Sequence, residues 1–290
     1  MKLLFSGCIV LLMLFGFTSC QREVDGTLTP ESFTDSSISR IVVLDTTTFA
    51  SGLDTAQTIE FLYDGSGRLI TFHSVYYNPG VSGAGRFNAD EEIRYQYTGA
   101  DTLPAKLFSK YTDIAGGTTD YDTSFLTYSG GMVARDSFFS APDYVVAEFN
   151  KLSENRYKVF HKINNGMGGQ VIDTAYINLT YQNGNLIKEV DSLWLPGGGW
   201  TVTSMNVMYD NKPNPLRSIS IPYPAPFNQF YLSGIGVAPL SNRSMNNELS
   251  EMNSIGTFVL LLSYQYGPTG LPKIIRDDNG LKFFYFYKML

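Results

Sequence analysis

Histidine, cysteine and tryptophan are scarce in this chain, two of each among 290 residues. With only His73 and His161 available, a histidine-based triad or a zinc site has almost nothing to be built from. No HExxH, GxSxG, Walker or CxxC spacing occurs either. Lys and Arg number 21 against 27 Asp and Glu, without a basic run. Nucleic acid is therefore not an expected partner, because phosphate neutralisation needs clustered cations. Long apolar stretches are missing apart from residues 3–17, shorter than the roughly 20 residues that a spanning helix needs.

That one stretch is preceded by Lys2 and followed by the small polar pair Thr18-Ser19, the order of a secretory signal. The residues Phe17-Thr18-Ser19-Cys20 resemble the lipobox of bacterial lipoproteins, with Phe17 where leucine is commonest. The resemblance implies removal of residues 1–19 and acylation of Cys20, which would fix the mature chain to a membrane. Cleavage removes Lys2 and Cys8, leaving Cys20 alone, so no disulfide forms within one chain. A mature chain of this length buries an adequate core without such bridges.

Residues 20–37 are polar, hold Gly26 and Pro30, and lack apolar periodicity. They read as a tether from the lipid to a single domain over 38–290, with a reach on the order of 20 Å. Glu23 and Asp25 resemble signals that send some Bacteroidetes lipoproteins to the outer face. Which face of the outer membrane holds the chain is left open.

The rest is one pattern repeated: a strand ending at tyrosine, a Gly-containing turn, and a second strand opening on Leu or Met. Residues 58–72 flank an Asp64-Gly65 turn and residues 125–135 a Gly130-Gly131 turn. Residues 93–108, 175–190 and 262–275 follow suit. Tyr63, Tyr97 and Tyr128 recur at roughly thirty-residue intervals, the mark of a repetitive architecture, and Tyr181, Tyr209 and Tyr266 continue the series less regularly. Period-two alternation gives each hairpin one apolar face that it cannot bury alone. The expected fold is all-β: an antiparallel meander of about a dozen strands, closed into a barrel or strongly curved so that no long edge stays bare.

Prolines crowd residues 213–226, too densely for an inner strand. Residues 227–253 follow as part of one long excursion, with one or two helical turns expected within 241–252 and a plug or lid role over one end of the sheet. The wording Tyr63-Asp64-x-x-Gly67-Arg68-Leu69, the run Tyr209-Asp-Asn-Lys-Pro-Asn-Pro215 with Asn246-Asn247, and the closing Tyr-x-Tyr strands resemble Bacteroidetes lipoproteins that carry a domain of unknown function with a porin-like β fold. The resemblance implies a meandering barrel over 38–290 and carries over no catalytic residue. The turn wording is also similar to the tyrosine-aspartate repeats of large secreted β-shell proteins.

Candidate chemistry is sparse. Asp90-Glu91-Glu92 and Asp277-Asp278 are the only obvious carboxylate groupings, yet adjacent residues of a strand face opposite sides, and the second is a hairpin tip. Neither that tip nor Asp120 with Asp122 has the oxygen ligands of a calcium loop. No cofactor or metal is expected. Trp194 and Trp200 bracket Leu-Pro-Gly-Gly-Gly and are the candidate ligand platform. Asp-Thr or Asp-Ser before a small or aliphatic residue, at Thr46, Thr55, Thr102, Thr174 and Ser192, resembles the O-glycosylation sequon of exported Bacteroidetes proteins. These observations point to a non-enzymatic binding or assembly module of the envelope, meeting a glycan or an envelope protein. A structural envelope protein is the alternative, and a carbohydrate-active hydrolase the next.

Overall fold

The computed structural model describes residues 36–45, 54–78, 86–140, 143–164, 170–195, 199–224, 244, 246–253 and 255–289. β1 (Ser36–Asp45), β2 (Asp54–Tyr63), β3 (Leu69–Tyr77) and β4 (Phe87–Gln96) open the chain, followed by β5 (Lys106–Asp113), β6 (Thr118–Ser129), β7 (Met132–Ser140) and β8 (Asp143–Ser153). The second half holds β9 (Arg156–Asn164), β10 (Gln170–Gln182), β11 (Asn185–Leu195), β12 (Gly199–Pro213), β13 (Asn246–Asn253), β14 (Phe258–Tyr266), β15 (Pro272–Asp277) and β16 (Leu281–Met289). Each strand pairs antiparallel with its neighbours in sequence, and β16 returns to β1 through pairs such as Ile41 with Tyr285 and Val43 with Phe283. The sixteen strands thus form a closed barrel, which removes the sheet edges.

The hairpin pattern fixes two unlike ends. At one, here the tyrosine end, lie the short turns after the even-numbered strands β2, β4, β6, β8, β10 and β14, together with the start of β1 and the end of β16. Inward side chains near it are apolar: Phe61, Phe72, Ile93, Leu107, Phe149, Val159 and Ile177 all belong to the buried core. The far end carries the remaining connections, and buried polar side chains share the inner wall with the apolar ones, Ser109 opposite Ile93 and Asp191 opposite Ile177.

The recurring tyrosines have a specific use. Tyr63 donates its hydroxyl to the Ile38 carbonyl at 2.8 Å, Tyr97 to Leu69 at 2.8 Å, and Tyr128 to Pro104 at 2.7 Å. Tyr209 reaches Leu186 at 2.9 Å and Tyr287 reaches Pro272 at 2.7 Å. Each bond ties the finish of an even-numbered strand to the beginning of the odd-numbered strand before it. Arg68 adds a stitch between turns, donating to Asp64 and to the carbonyls of Gly99 and Asp101 at 2.8 and 3.1 Å, with its guanidinium over the Tyr97 ring.

The Pro-rich segment does act as a plug. Ile221 and Tyr223 sit in the core, Val133 N–H donates to the Pro222 carbonyl at 2.9 Å, and Tyr223 packs edge-on against Phe149. Residues 225–243 lie outside the described residues.

Two local expectations are corrected and the geometry of one expected turn is defined. The helical turns expected within 241–252 give way to β13, because closure needs a strand between β12 and β14, and Asn246 and Asn247 are claimed by that slot. Asn246 exchanges hydrogen bonds with the Asn185 side chain at 2.8 and 2.9 Å, and Asn247 donates to Asp210 at 3.1 and 3.2 Å. The Asp64-Gly65 turn takes its left-handed residue at Gly67 (φ 76°), since the Asp64 carboxylate gathers the Ser66 and Arg68 amides at 2.9 and 3.0 Å. The strand number is sixteen, more than the expected dozen: β13 had been read as helical, and β8 and β9 carry no tyrosine-turn wording.

Candidate functional site

Alternation assigns each strand residue to the inner or the outer wall. Along β4, Ala89, Glu91, Ile93 and Tyr95 are buried inside, whereas Asn88, Asp90, Glu92, Arg94 and Gln96 face out and are exposed or half-buried. The outer wall elsewhere also carries polar side chains: Lys110 on β5, Thr127 on β6, Arg135 on β7, Glu148 on β8, Lys158 on β9, Asn178 on β10 and Lys188 on β11 all point outward by register. A bilayer-spanning barrel presents a lipid-facing apolar band about 25 Å tall, where an Arg or Lys at the midplane costs about 2–4 kcal/mol. On this wall the charged and polar side chains are interspersed with exposed apolar ones such as Leu62, Ile70, Val202, Met208 and Phe286.

Part of its apolar content is gathered into aromatic clusters. Trp194 at the end of β11 and Trp200 at the start of β12 form a directly opposed pair on the outer wall at the far end. Their rings meet edge to face with centroids 5.6 Å apart, and Tyr176 of β10 adds a third ring 5.5 Å from Trp200. The indoles are 43% and 50% exposed. Arg156 and Lys158 of β9 reach the Tyr176 ring at 5.3 and 5.9 Å. The two tryptophans are therefore brought together. Tyr176 and the two cations had no sequence signal, because their place beside the pair depends on strand register. Residues 196–198 between the tryptophans lie outside the described residues.

The other candidates separate. His73 faces out, with Nε2 3.1 Å from Asp90 Oδ2, whereas His161 is buried on the inner wall, so the two histidines share no site. Within Asp90-Glu91-Glu92, only Glu91 faces in, accepting from the Tyr76 hydroxyl at 3.3 Å, and Glu92 binds Arg94 outside. Asp277 caps the last hairpin by accepting from the Leu281 amide at 2.7 Å, and Asp278 accepts from the Leu261 amide at 3.3 Å. Asp120 and Asp122 both face in, on either side of Tyr121. Among the described residues no group of His, Cys, Asp and Glu is arranged to hold a metal.

Sequence reasoning missed a carboxylate pair. Glu189 and Asp191 both face inward on β11, two residues and so about 7 Å apart along the backbone. They are 1% and 6% exposed, so a sugar has no described path to them. Asp136 is also inward and buried; it accepts from Ser124 and from the Tyr223 hydroxyl at 2.7 Å, which makes it the polar anchor of the plug.

Asp210 organises the other root of the excursion. It receives the Lys212 amide at 2.8 Å, both nitrogens of Asn247, and the Tyr266 hydroxyl. Burial raises its carboxyl above the ordinary range, and the donated hydrogen bonds oppose that rise. The Asn-rich motif around 209–215 and 246–247 is thus a structural lock.

Of the sequon positions, Thr102 is exposed in the turn after β4, while Thr55, Thr174 and Ser192 are half-buried in strands. Thr46 and Cys20 lie outside the described residues.

No family model matches the chain, and no curated protein matches it in sequence. Its fold is similar to the crystal structure of a porin-like protein from Bacteroides uniformis, with a TM-score of 0.51 and 13% identity over 87% of this chain and 98% of that chain. A porin-like protein from Bacteroides vulgatus aligns with a TM-score of 0.41 and 11% identity over 88% of this chain and 100% of that chain. At such identity the first likeness shows the barrel fold alone.

Proposed function

We propose that the chain is a non-enzymatic recognition module of the cell envelope, held to the outer membrane through Cys20 and the tether, with a barrel that stands in water and meets its ligand at the Trp194–Trp200 platform. The observation that carries this reading is the exposed ring cluster of Trp194, Trp200 and Tyr176 on a wall otherwise rich in charged and polar side chains. Large rings left in water at one place mark an interaction site, and flat aromatic faces take the apolar side of a sugar or a partner side chain. The polar outer wall supports a barrel outside the bilayer, for which a lipid anchor has a use.

The test is binding of the isolated full chain to a glycan array, with a parallel pull-down from envelope extract. Saturable binding that disappears in a Trp194→Ala/Trp200→Ala variant supports the platform. A second reading, a structural envelope protein, is favoured by the plugged and packed tyrosine end; silence in both assays would move the weight there.

A further inference from the structure

Six to seven strands around the barrel from the tryptophans, the outer wall of β4 to β6 holds a depression of about 440 Å³. Glu92, Arg94, Phe108, Lys110, Tyr121 and Thr123 line it. Tyr121 is 69% exposed and Phe108 38%. The depression opens onto an aromatic track, since register runs Arg94, Phe108, Thr123, Phe139, Tyr144 across β4 to β8. Phe139 stacks on Tyr144 at 6.0 Å and meets Phe125 edge-on at 5.9 Å. Four strand spacings make this track roughly 19 Å long.

The charge on this face runs against that of the whole chain, whose formal net charge is −6. From β4 to β9 the outer wall carries Arg94, Lys106, Lys110, Arg135, Lys158 and Lys162. The facing carboxylates are already engaged: Glu92 with Arg94, Glu148 with Arg135 at 3.6 Å, and Asp90 with His73. The acids Glu91, Asp122 and Asp136 of the same strands face inward. Lys106 Nζ lies 4.0 Å over the Phe108 ring and 4.6 Å over Phe125, a cation set on two rings of the track.

We infer that this face is a second ligand site and that its ligand is a carbohydrate chain bearing carboxylates, an extension that rests on the recognition reading above. Tyr121 supplies a flat face for a sugar ring, Lys110 supplies a cation for its carboxylate, and the track accommodates several units in a row. A phosphodiester chain, which likewise carries a charge at every residue, is separated from it by the test.

The test is calorimetric titration of the isolated full chain with oligogalacturonate, its methyl-esterified counterpart, and an oligothymidylate at the same ionic strength. The site predicts saturable binding of oligogalacturonate that weakens about ten-fold or more on esterification and again in Tyr121→Ala and Lys110→Gln, whereas Lys110→Arg retains it. All these positions are exposed, so their variants keep the fold. Equal binding of the esterified chain, indifference to Tyr121→Ala and Lys110→Gln, tighter binding of oligothymidylate, or no binding of oligogalacturonate would each overturn the proposal. Glycan binding lost in Trp194→Ala/Trp200→Ala but untouched by Tyr121→Ala would leave the platform standing and remove this second site.

Discussion

Tyr97, just past the end of β4, donates its hydroxyl to the carbonyl of Leu69, the first residue of β3, at 2.8 Å. The same relation at Tyr63, Tyr128, Tyr209 and Tyr287 turns a local hairpin signal into a long-range tie around one rim. Removing a single hydroxyl leaves a part-buried carbonyl short of a donor. Tyr97→Phe is therefore expected to lower stability by about 1 kcal/mol, read as a shift of the urea midpoint at unchanged slope.

The same tyrosine gives a pH dependence. Burial pushes the Tyr97 hydroxyl up to about 12, with Arg68 pulling the other way. Because the folded value lies above the ordinary 10.0, the stabilisation is fully present below pH 10 and is lost as the pH climbs towards 12. Ultraviolet titration of phenolate should show a fraction of tyrosines that resists ionisation until about that pH, and this fraction should shrink in Tyr97→Phe.

The plug provides a contrast within one side chain. Tyr223→Phe removes only the bond to Asp136 and should cost about 1 kcal/mol. Tyr223→Ala also empties the space against Phe149 and should cost about 3 kcal/mol or more. Equal effects in thermal melts would mean that the segment does not pack in the core.

Turn geometry separates two glycines. Gly131, with φ of 77° and nothing near its missing Cβ, is needed for its backbone conformation alone, so Gly131→Ala should destabilise by about 1 kcal/mol. Gly65 is equally open without a left-handed φ, and Gly65→Ala should be neutral or slightly stabilising.

Much of the barrel was legible because its signals are local. Gly130-Gly131 and the Asn183-Gly184 turn adopt the left-handed pairs that such dipeptides favour, and period-two alternation told inner from outer residues in β4 and β10. The helical turns expected within 241–252 failed for the opposite reason: nothing within Asn246–Asn253 states that Asn185 and Asp210, far away in sequence, hold it as a strand. The site divides similarly. Trp194 and Trp200 were visible as a rare pair around a glycine turn, but Tyr176, and Lys110 beside Tyr121, become neighbours only once the strands are in register. Lysines scattered through β5 and β9 show no run in sequence yet share one wall in the barrel.

The central claim is that the outer wall faces water. Single cysteines introduced by Lys110→Cys, Glu148→Cys and Lys188→Cys sample it on three strands, with Ile93→Cys as a buried inner-wall control. The measurement is their labelling by a charged, membrane-impermeant maleimide, on the protein in intact lipid vesicles and after solubilisation in mild detergent. A water-facing wall predicts rapid labelling of all three in both conditions and none at Ile93→Cys. Protection of the three in lipid, relieved only by detergent, would contradict the account and make this barrel a membrane-spanning one.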